Sequence, residues 1–563
     1  MRHACKGVGP DASLYAIIFC MEKITTDISS FENLRKDGYV YVDKTDLLWR
    51  LAASREGRQF FISRPRRFGK SLMLSTLKCL FEGRRDLFRG LRIEKKKYDW
   101  AKYLVVMLNM ADVVAPTVDK LSENLSDLVD GLVEEFHLEN VRKVSDPGKH
   151  FGNFLKALAV KAERERKGRG KSVTGEGVVV LVDEYDVPLQ GFFGDKKSLV
   201  AVRKMMHDFY LALKNNQENI RFLMLTGVTK LTKVSVFSGL NHLTDLTMKR
   251  KEYAALLGYT PREIAEFFPK RLDALARKNK TDRKRALKLL LDWYDSSRFS
   301  PDTPARVCNP ISIGQALQTC ALRSYWVGTA VASLVMERIA AAGKTPVDFE
   351  GCTATVDELD LCEATELHAK SLMYQSGYLT IKGLSKTEVD EIGNPKLILG
   401  APNHEVRGAI RAGWFNSVVK VPASEFDALV DVAKRQVAAG DLRGLVGESL
   451  YRVYAQIPPE WKIRSEADVK RHFRLFMEML GAKVAAEEGS AFGYADAIIE
   501  TKAFVWVFEF KFNKSANAAV RQIREKGYAA QYKGDKRPVT LVGVNFRTAK
   551  RNIDEPVFAQ MRG

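Results

Sequence analysis

Between residues 59 and 81 an apolar strand-like run, QFFIS, passes through RPRRF into Gly69-Lys70-Ser71 and then into an amphipathic helix-like run, SLMLSTLKCLF. A buried strand that feeds a helix through a glycine turn aims successive backbone N–H groups at one point, and a lysine beside them suits a polyphosphate. Such a loop also constrains the fold, because it belongs to a mainly parallel sheet covered by helices. Two other Gly-Lys-Ser/Thr triplets lack this setting: Gly170-Lys171-Ser172 follows a charged run, and Gly343-Lys344-Thr345 follows the helical MERIAA and meets Pro346. The loop departs from G-x-x-x-x-G-K-S at its first position, where Arg64 replaces glycine. Arg64, Arg66 and Arg67 place guanidinium forks beside Lys70, which fits a polyphosphate with its metal; pairing with a nearby carboxylate such as Asp43 is the alternative. Arg66, Arg67, Phe68, Gly69, Lys70, Ser71 and Leu72 are the candidate nucleotide-binding residues.

Further apolar runs, YLVVMLNM (103–110), GVVVLVDE (177–184) and IRFLMLTG (220–227), read as buried strands separated by helical spacing, an α/β pattern from 22 to about 258. Asp183 and Glu184 close one of them, where the first carboxylate can hold Mg²⁺ with Ser71 and the second can polarise a water; a helix cap is the plainer reading of the pair. Thr226 and Thr229 end another such strand, a place suited to sensing a terminal phosphate. From 259 to 445 helical spacing dominates. It opens with Thr260, Pro261 and Glu263 as a capping box, and carries a short strand-like insert at YLTIKG (378–383) and LILGAP (397–402).

Beyond 446 a helix near 466–480 precedes the strand-like YADAIIE (494–500), AFVWVFEFKF (503–512) and PVTLVGVNF (538–546). In the middle run Glu509 and Lys511 share one face of a strand while Trp506, Phe508, Phe510 and Phe512 share the other. Asp496, across the turn at 500–503, can meet Glu509, so that Asp496 and Glu509 hold a divalent metal while Lys511 orients or deprotonates a water. Glu94 with Lys96, Asp195 with Lys197 and Asp468 with Lys470 have the same spacing but no aromatic strand around them. Glu487 is a candidate additional carboxylate, and Gln522 and Tyr528 are candidate lining residues.

The 89 Lys and Arg against 69 Asp and Glu leave a net charge of +20 over 563 residues, a field that attracts polyanions. No run of apolar residues is long enough to cross a membrane, and the seven scattered cysteines form neither a disulfide framework nor a zinc pattern, which points to a reduced, cytoplasmic setting. Residues 1–21 read as an extension outside the core, because periodic structure begins after Met21.

The motifs YVYVDKTDLL, FISRPRRFGKSLMLSTL, LVDEYDVPL, LTGVTKLTKVSVFSGLNHLTDL, QSGYLTI, PNHEVR and DAIIETKAFVWVFEFKFNKSANAAVRQIREKGYA resemble those of bacterial AAA-ATPase-like proteins with a C-terminal nuclease domain of the PD-(D/E)xK superfamily. The resemblance implies a P-loop domain over 22–258, a helical middle region over 259–445 and a nuclease-like α/β domain over 446–563. It implies ATP and Mg²⁺ as cofactors, Lys70, Ser71, Asp183 and Glu184 as the ATPase residues, and Asp496, Glu509 and Lys511 as the nuclease triad. Nucleic acid, DNA in the first place, is the expected partner, with homo-oligomerisation open. Two departures stand out: Gly493-Tyr494 where the family commonly has Gly-Arg, and WYDSSRF (293–299) where it often has W-Y-D-G-Y. The alternative reading is a nucleotide-dependent switch whose inactive nuclease fold binds nucleic acid or protein.

Overall fold

The apolar runs of the N-terminal half become strands with buried centres. In the computed structural model they are β1 (Gln59–Ser63), β2 (Lys102–Asn109), β3 (Thr174–Asp183) and β4 (Ile220–Gly227). With β5 (Thr244–Asp245) they form a sheet in the order β2-β3-β4-β1-β5, parallel at every pairing. The structure describes residues 21–561 apart from 54–56, 170–173, 231–242, 296, 326–334, 337, 340–343, 361–367, 419–422, 458–462, 483, 486–488 and 491–492. Residues 1–20, the Gly170-Lys171-Ser172 triplet, Gly343, Glu487, Cys5, Cys20, Cys362 and the side chain of Tyr494 therefore lie outside the described residues. Among those described, Cys79, Cys308 and Cys320 are free thiols, and no helix is long and apolar enough to cross a membrane.

The chain divides into two compact units, residues 1–326 with 351–406, and residues 327–350 with 407–563. In the first, helix α1 (Lys70–Phe81) lays Leu74, Leu77 and Phe81 on Phe60 and Ile62 of β1 and on Phe222 and Met224 of β4. Helices α2 (Val118–Glu135), α3 (Pro147–Arg169) and α4 (Lys196–Asn215) belong to the same unit, with Phe151 of α3 stacked on Phe209 of α4 at 4.7 Å. Each of these large side chains contributes about 1.5–3 kcal/mol by leaving water.

The helical region opens as the sequence predicts. Thr260 and Glu263 close a capping box at the start of α5 (Pro261–Phe267), and Glu263 also holds the ammonium of Lys44 at 2.7 Å. Helices α6 (Pro269–Lys278), α7 (Arg283–Tyr294) and α8 (Pro310–Thr319) share a core of Leu272, Leu275, Ala286, Leu290, Ile313 and Leu317. The strand-like insert is β7 (Thr380–Val389) paired antiparallel with β8 (Pro395–Gly400), to which β6 (Thr353–Ala354) adds.

The second unit holds helix α9 (Glu466–Met479), helix α10 (Ala516–Glu525) and a mixed sheet. Its strands run β15 (Asn552–Ile553), β14 (Val539–Arg547), β13 (Val505–Phe512), β12 (Ala497–Glu500), β9 (Val484–Ala485), with β16 (Val557–Gln560) also on β14. A separate pair joins β10 (Gly489–Ser490) to β11 (Gly493–Tyr494). Strand β13 is central, antiparallel to β12 and parallel to β14. Gly543 of β14, the register partner of Glu509, lets α10 approach: a Cβ there would stand 2.1 Å from the carbonyl oxygen of Ala516.

Candidate functional site

The loop after β1 turns through Gly69 at φ +93°, a conformation open to glycine and costly for any side chain, and α1 starts at the next residue. Lys70 is 6% exposed; its Nζ donates to the carbonyls of Arg64 at 2.9 Å and Pro65 at 3.1 Å. Burial pushes its pKa down, against the attraction of Asp183, Asp186 and Glu184. Ser71 Oγ donates to Asp183 Oδ2 at 2.5 Å, and Thr226 Oγ1 to Asp183 Oδ1 at 2.5 Å, so the acid at the end of β3 is held from α1 and from the neighbouring β4. Glu184 follows at φ +51°, a conformation that costs a non-glycine residue about 1–3 kcal/mol and that clusters at functional sites. Its pKa is raised, first by burial and then by Asp183.

The three arginines separate. Arg64 is 1% exposed and turns inward: one nitrogen donates to the carbonyls of Ser63 at 2.8 Å and Thr247 at 2.9 Å, and the guanidinium lies 4.2 Å from the centre of the Phe299 ring. Burial lowers its pKa to about 10. Arg66 is half-buried and donates to Gln190 Oε1 at 3.2 Å, and Arg67 is exposed. Asp43 pairs with none of them in its hydrogen bonds; it accepts from the N–H and hydroxyl of Thr45 and from the N–H of Arg92. Thr229 is likewise committed, donating from N–H and hydroxyl to buried Asp186 at 2.8 and 2.5 Å. Phe68, Gly69 and Leu72 line a mostly apolar cleft together with Tyr41, Val42, Lys44, Gly258, Tyr259 and Pro310. That wall comes from segments far apart in sequence, and the single chain offered no periodicity that joins them.

In the second unit Asp496, one residue before β12, accepts from the N–H of Phe510 at 2.8 Å, which pins it across from Glu509. Glu509 is 1% exposed and Lys511 6%; Lys511 Nζ donates to Glu509 Oε1 and to the carbonyl of Phe510, both at 2.8 Å. Phe508 and Phe510, on the other face, pack on Phe473 of α9 with ring centres 4.7 and 4.8 Å away. Glu466 and Lys470 lie on the stripe of α9 that contains Phe473. Glu466, Asp496 and Glu509 each bring a carboxylate oxygen within 4.8 Å of the others. Lys470 Nζ stands among them, 2.5 Å from Asp496 and 3.3 Å from Glu466.

Burial, and then the charge of Asp496, pushes the Glu509 carboxyl up to about 7, with Lys511 and Lys470 opposing. Its Oε2 is buried and has no hydrogen-bond partner among the described residues, which fits a cation facing the three acids.

These sites can be set beside known proteins. The family model for predicted AAA-ATPase matches residues 25–237, and the model for the PD-(D/E)XK nuclease superfamily matches residues 464–556. "Uncharacterized protein in vnfD 5'region" of Azotobacter chroococcum mcd 1 is 30% identical over 546 residues, covering 94% of this chain and 98% of that protein. The chain belongs to the same family as that protein.

The AAA-ATPase-like domain thus contains the loop at Lys70 and the acids at 183–184, and the nuclease-superfamily domain contains Glu466, Asp496, Glu509 and Lys511. Reading the nuclease-superfamily domain from spacing alone missed Glu466 and Lys470: Lys470 was visible only as part of an Asp468–Lys470 match with no strand around it. The usable sign was the i, i+4, i+7 series Glu466-Lys470-Phe473, which places the two charges above an aromatic that must pack on a sheet. Gln522 and Tyr528 bond to one another at 3.3 Å, and Tyr528 belongs to the apolar core with Val520 and Ile523.

Proposed function

We propose that the chain binds and hydrolyses ATP at the loop of residues 66–72 and cleaves nucleic acid, DNA in the first place, at the carboxylates of its C-terminal domain, with nucleotide state controlling the cutting. The observation that carries this reading is the meeting of Glu466, Asp496 and Glu509 within 4.8 Å beside the buried Lys511. The unpartnered Glu509 Oε2 supports a divalent ligand, because a buried oxygen without a donor loses about 1–3 kcal/mol that a cation restores. Mg²⁺ held by Asp496 and Glu509, with Glu466 as a third acid, would supply positive charge to the scissile phosphodiester. Lys511, its position fixed by Glu509, then orients the attacking water as an ammonium, or deprotonates it once it is a neutral amine.

In the first unit the N–H groups at the start of α1 and the ammonium of Lys70 hold phosphates, with Arg66 and Arg67 at the rim. Ser71 and Asp183, 2.5 Å apart, are the pair that would hold Mg²⁺. Glu184 takes a proton from water, its raised pKa bringing it nearer to neutral pH. The cleft at Phe68 and Leu72 supports a base-sized apolar group next to the phosphates.

The test uses purified protein with plasmid, linear and single-stranded DNA and with RNA, with Mg²⁺ or Mn²⁺, with and without ATP. Glu509→Ala and Lys511→Ala are expected to abolish cleavage while ATP hydrolysis survives, and Lys70→Ala to lose nucleotide binding. Mg²⁺-dependent cutting that persists in a clean Glu509→Ala preparation refutes the nuclease half.

A further inference from the structure

The turn of the α6–α7 hairpin concentrates charge of one sign. Residues 277–288 contain Arg277, Lys278, Lys280, Arg283, Lys284, Arg285 and Lys288 against Asp282 alone. Two of the cations have structural partners. Arg283 grips Asp273 with two bonds, 2.6 and 2.5 Å, and so ties α7 to α6; Lys278 donates to the carbonyl of Thr319 at 3.2 Å. The other five are exposed; Arg277 lies in the field of Asp273, and none of the five is within ion-pair distance of a carboxylate among the described residues.

This arrangement works against folding. The first turn of α7 contains no acid and instead begins Arg283-Lys284-Arg285, at the helix end where the backbone dipole favours anions. Lys284 and Lys288, at i and i+4 on the exposed side, repel one another. Asp282 offsets part of this by accepting from the N–H of Arg285 at 2.7 Å. Beneath, Leu272, Leu275, Ala286 and Leu290 are fully buried, so the hairpin is a rigid platform. Local charge rules broken on a well-packed element mark a surface kept for something other than stability.

We propose that the tip of the α6–α7 hairpin docks the phosphate backbone of a nucleic acid through Arg277, Lys280, Lys284, Arg285 and Lys288. This rests on the reading that the chain acts on nucleic acid, and gives the helical region a substrate-holding role of its own. A polyanion fits better than an acidic protein, because every exposed side chain from 277 to 288 is charged or polar and none offers the apolar anchor on which protein interfaces centre. Point charges on a regular scaffold hold phosphates without reading sequence.

The experiment measures duplex DNA binding by fluorescence anisotropy in EDTA, so that nothing is cut, from about 50 to 300 mM salt. It compares wild type, the variant K280A/K284A/R285A/K288A, and a variant that removes four exposed lysines elsewhere, K149A/K196A/K197A/K204A. Each lost phosphate contact should reduce the slope of log affinity against log salt by about 0.9, so the hairpin variant should lose up to about 3.6 and the control variant less than about 1. Equal slopes for the two variants, or polyglutamate competing as well as DNA, overturn the docking surface alone. A wild-type chain without salt-dependent binding to DNA or RNA overturns the nucleic-acid reading as well. Unchanged circular dichroism and nucleotide binding in the hairpin variant separate lost docking from lost folding.

Discussion

If Glu509 is a metal ligand, its elevated pKa fixes how metal binding depends on pH. A carboxyl must lose its proton to coordinate, and this one is held up to about 7 by burial and by Asp496. Between pH 7.5 and pH 5.5 its ionised fraction falls from about three-quarters to about 3%, a loss of roughly 25-fold in apparent affinity, or about 1.9 kcal/mol. An ordinary glutamate would lose only about a tenth over the same interval. The assay is a Mn²⁺ titration by calorimetry or electron paramagnetic resonance, without nucleotide, on the Asp183→Asn chain, which removes the acid that would hold metal beside Ser71. The sign for folding runs the other way from that of a salt-bridged acid. The folded protein keeps the proton up to about pH 7 while the unfolded chain releases it near 4.5, so the metal-free protein loses up to about 3 kcal/mol from this group as pH rises between those values. Saturating Mn²⁺ at pH 8 should restore stability, and Glu509→Gln should remove both the pH step and the restoration. A wild-type Mn²⁺ affinity that changes by less than about threefold from pH 5.5 to 7.5 refutes the placement of Glu509 among the ligands.

Lys470→Met removes an ammonium 2.5 Å from Asp496, so Mn²⁺ at pH 8 should bind about three- to tenfold more tightly; unchanged affinity would mean that the side chain already swings clear. Gly543→Ala drives a Cβ into the Ala516 carbonyl 2.1 Å away, which should cost at least about 3 kcal/mol in denaturant melts and, because Gly543 stands beside Glu509, should also weaken Mn²⁺ binding; a wild-type melt would show that α10 can shift. Thr260→Ala opens the capping box at α5 and should lower stability by about 1 kcal/mol, read by denaturant unfolding, with no effect on Mn²⁺ affinity.

What the sequence disclosed follows from how local each feature is. The strands at 59–63 and 220–227 have the residue limits that their apolar runs suggest, and the capping box stands at Thr260 and Glu263, because short-range sterics and hydrogen bonding decide them. Asp496, Glu509 and Lys511 were readable because a two-strand hairpin fixes which residues face each other. Glu466 was not, since it reaches the acids only through the packing of Phe473 on Phe508 and Phe510, a contact between residues more than thirty positions apart. The fate of Arg64 was equally hidden. As a residue type it suits phosphate, yet here it occupies the space against Phe299 and the carbonyl of Thr247, so one of the three loop arginines that suited a phosphate is part of the core.

A buried lysine in each site donates to backbone carbonyls, and at Lys70, which has no ion pair among the described residues, this predicts how ligands act on stability. Lys70 donates to two neutral carbonyls of its own loop, and Lys511 to a carbonyl of its own strand besides Glu509. A carbonyl satisfies a donor but leaves most of an ammonium's charge uncompensated, and burial has already lowered the pKa of Lys70. An anionic phosphate therefore relieves a cost built into the folded chain, whereas a neutral nucleoside cannot. ATP at about a hundred times its dissociation constant should stabilise the first unit by about 2.7 kcal/mol, and adenosine at the same concentration by far less. Equal stabilisation by the two would place the binding energy in the cleft of Phe68 and Leu72 and deny the loop its role as a phosphate site.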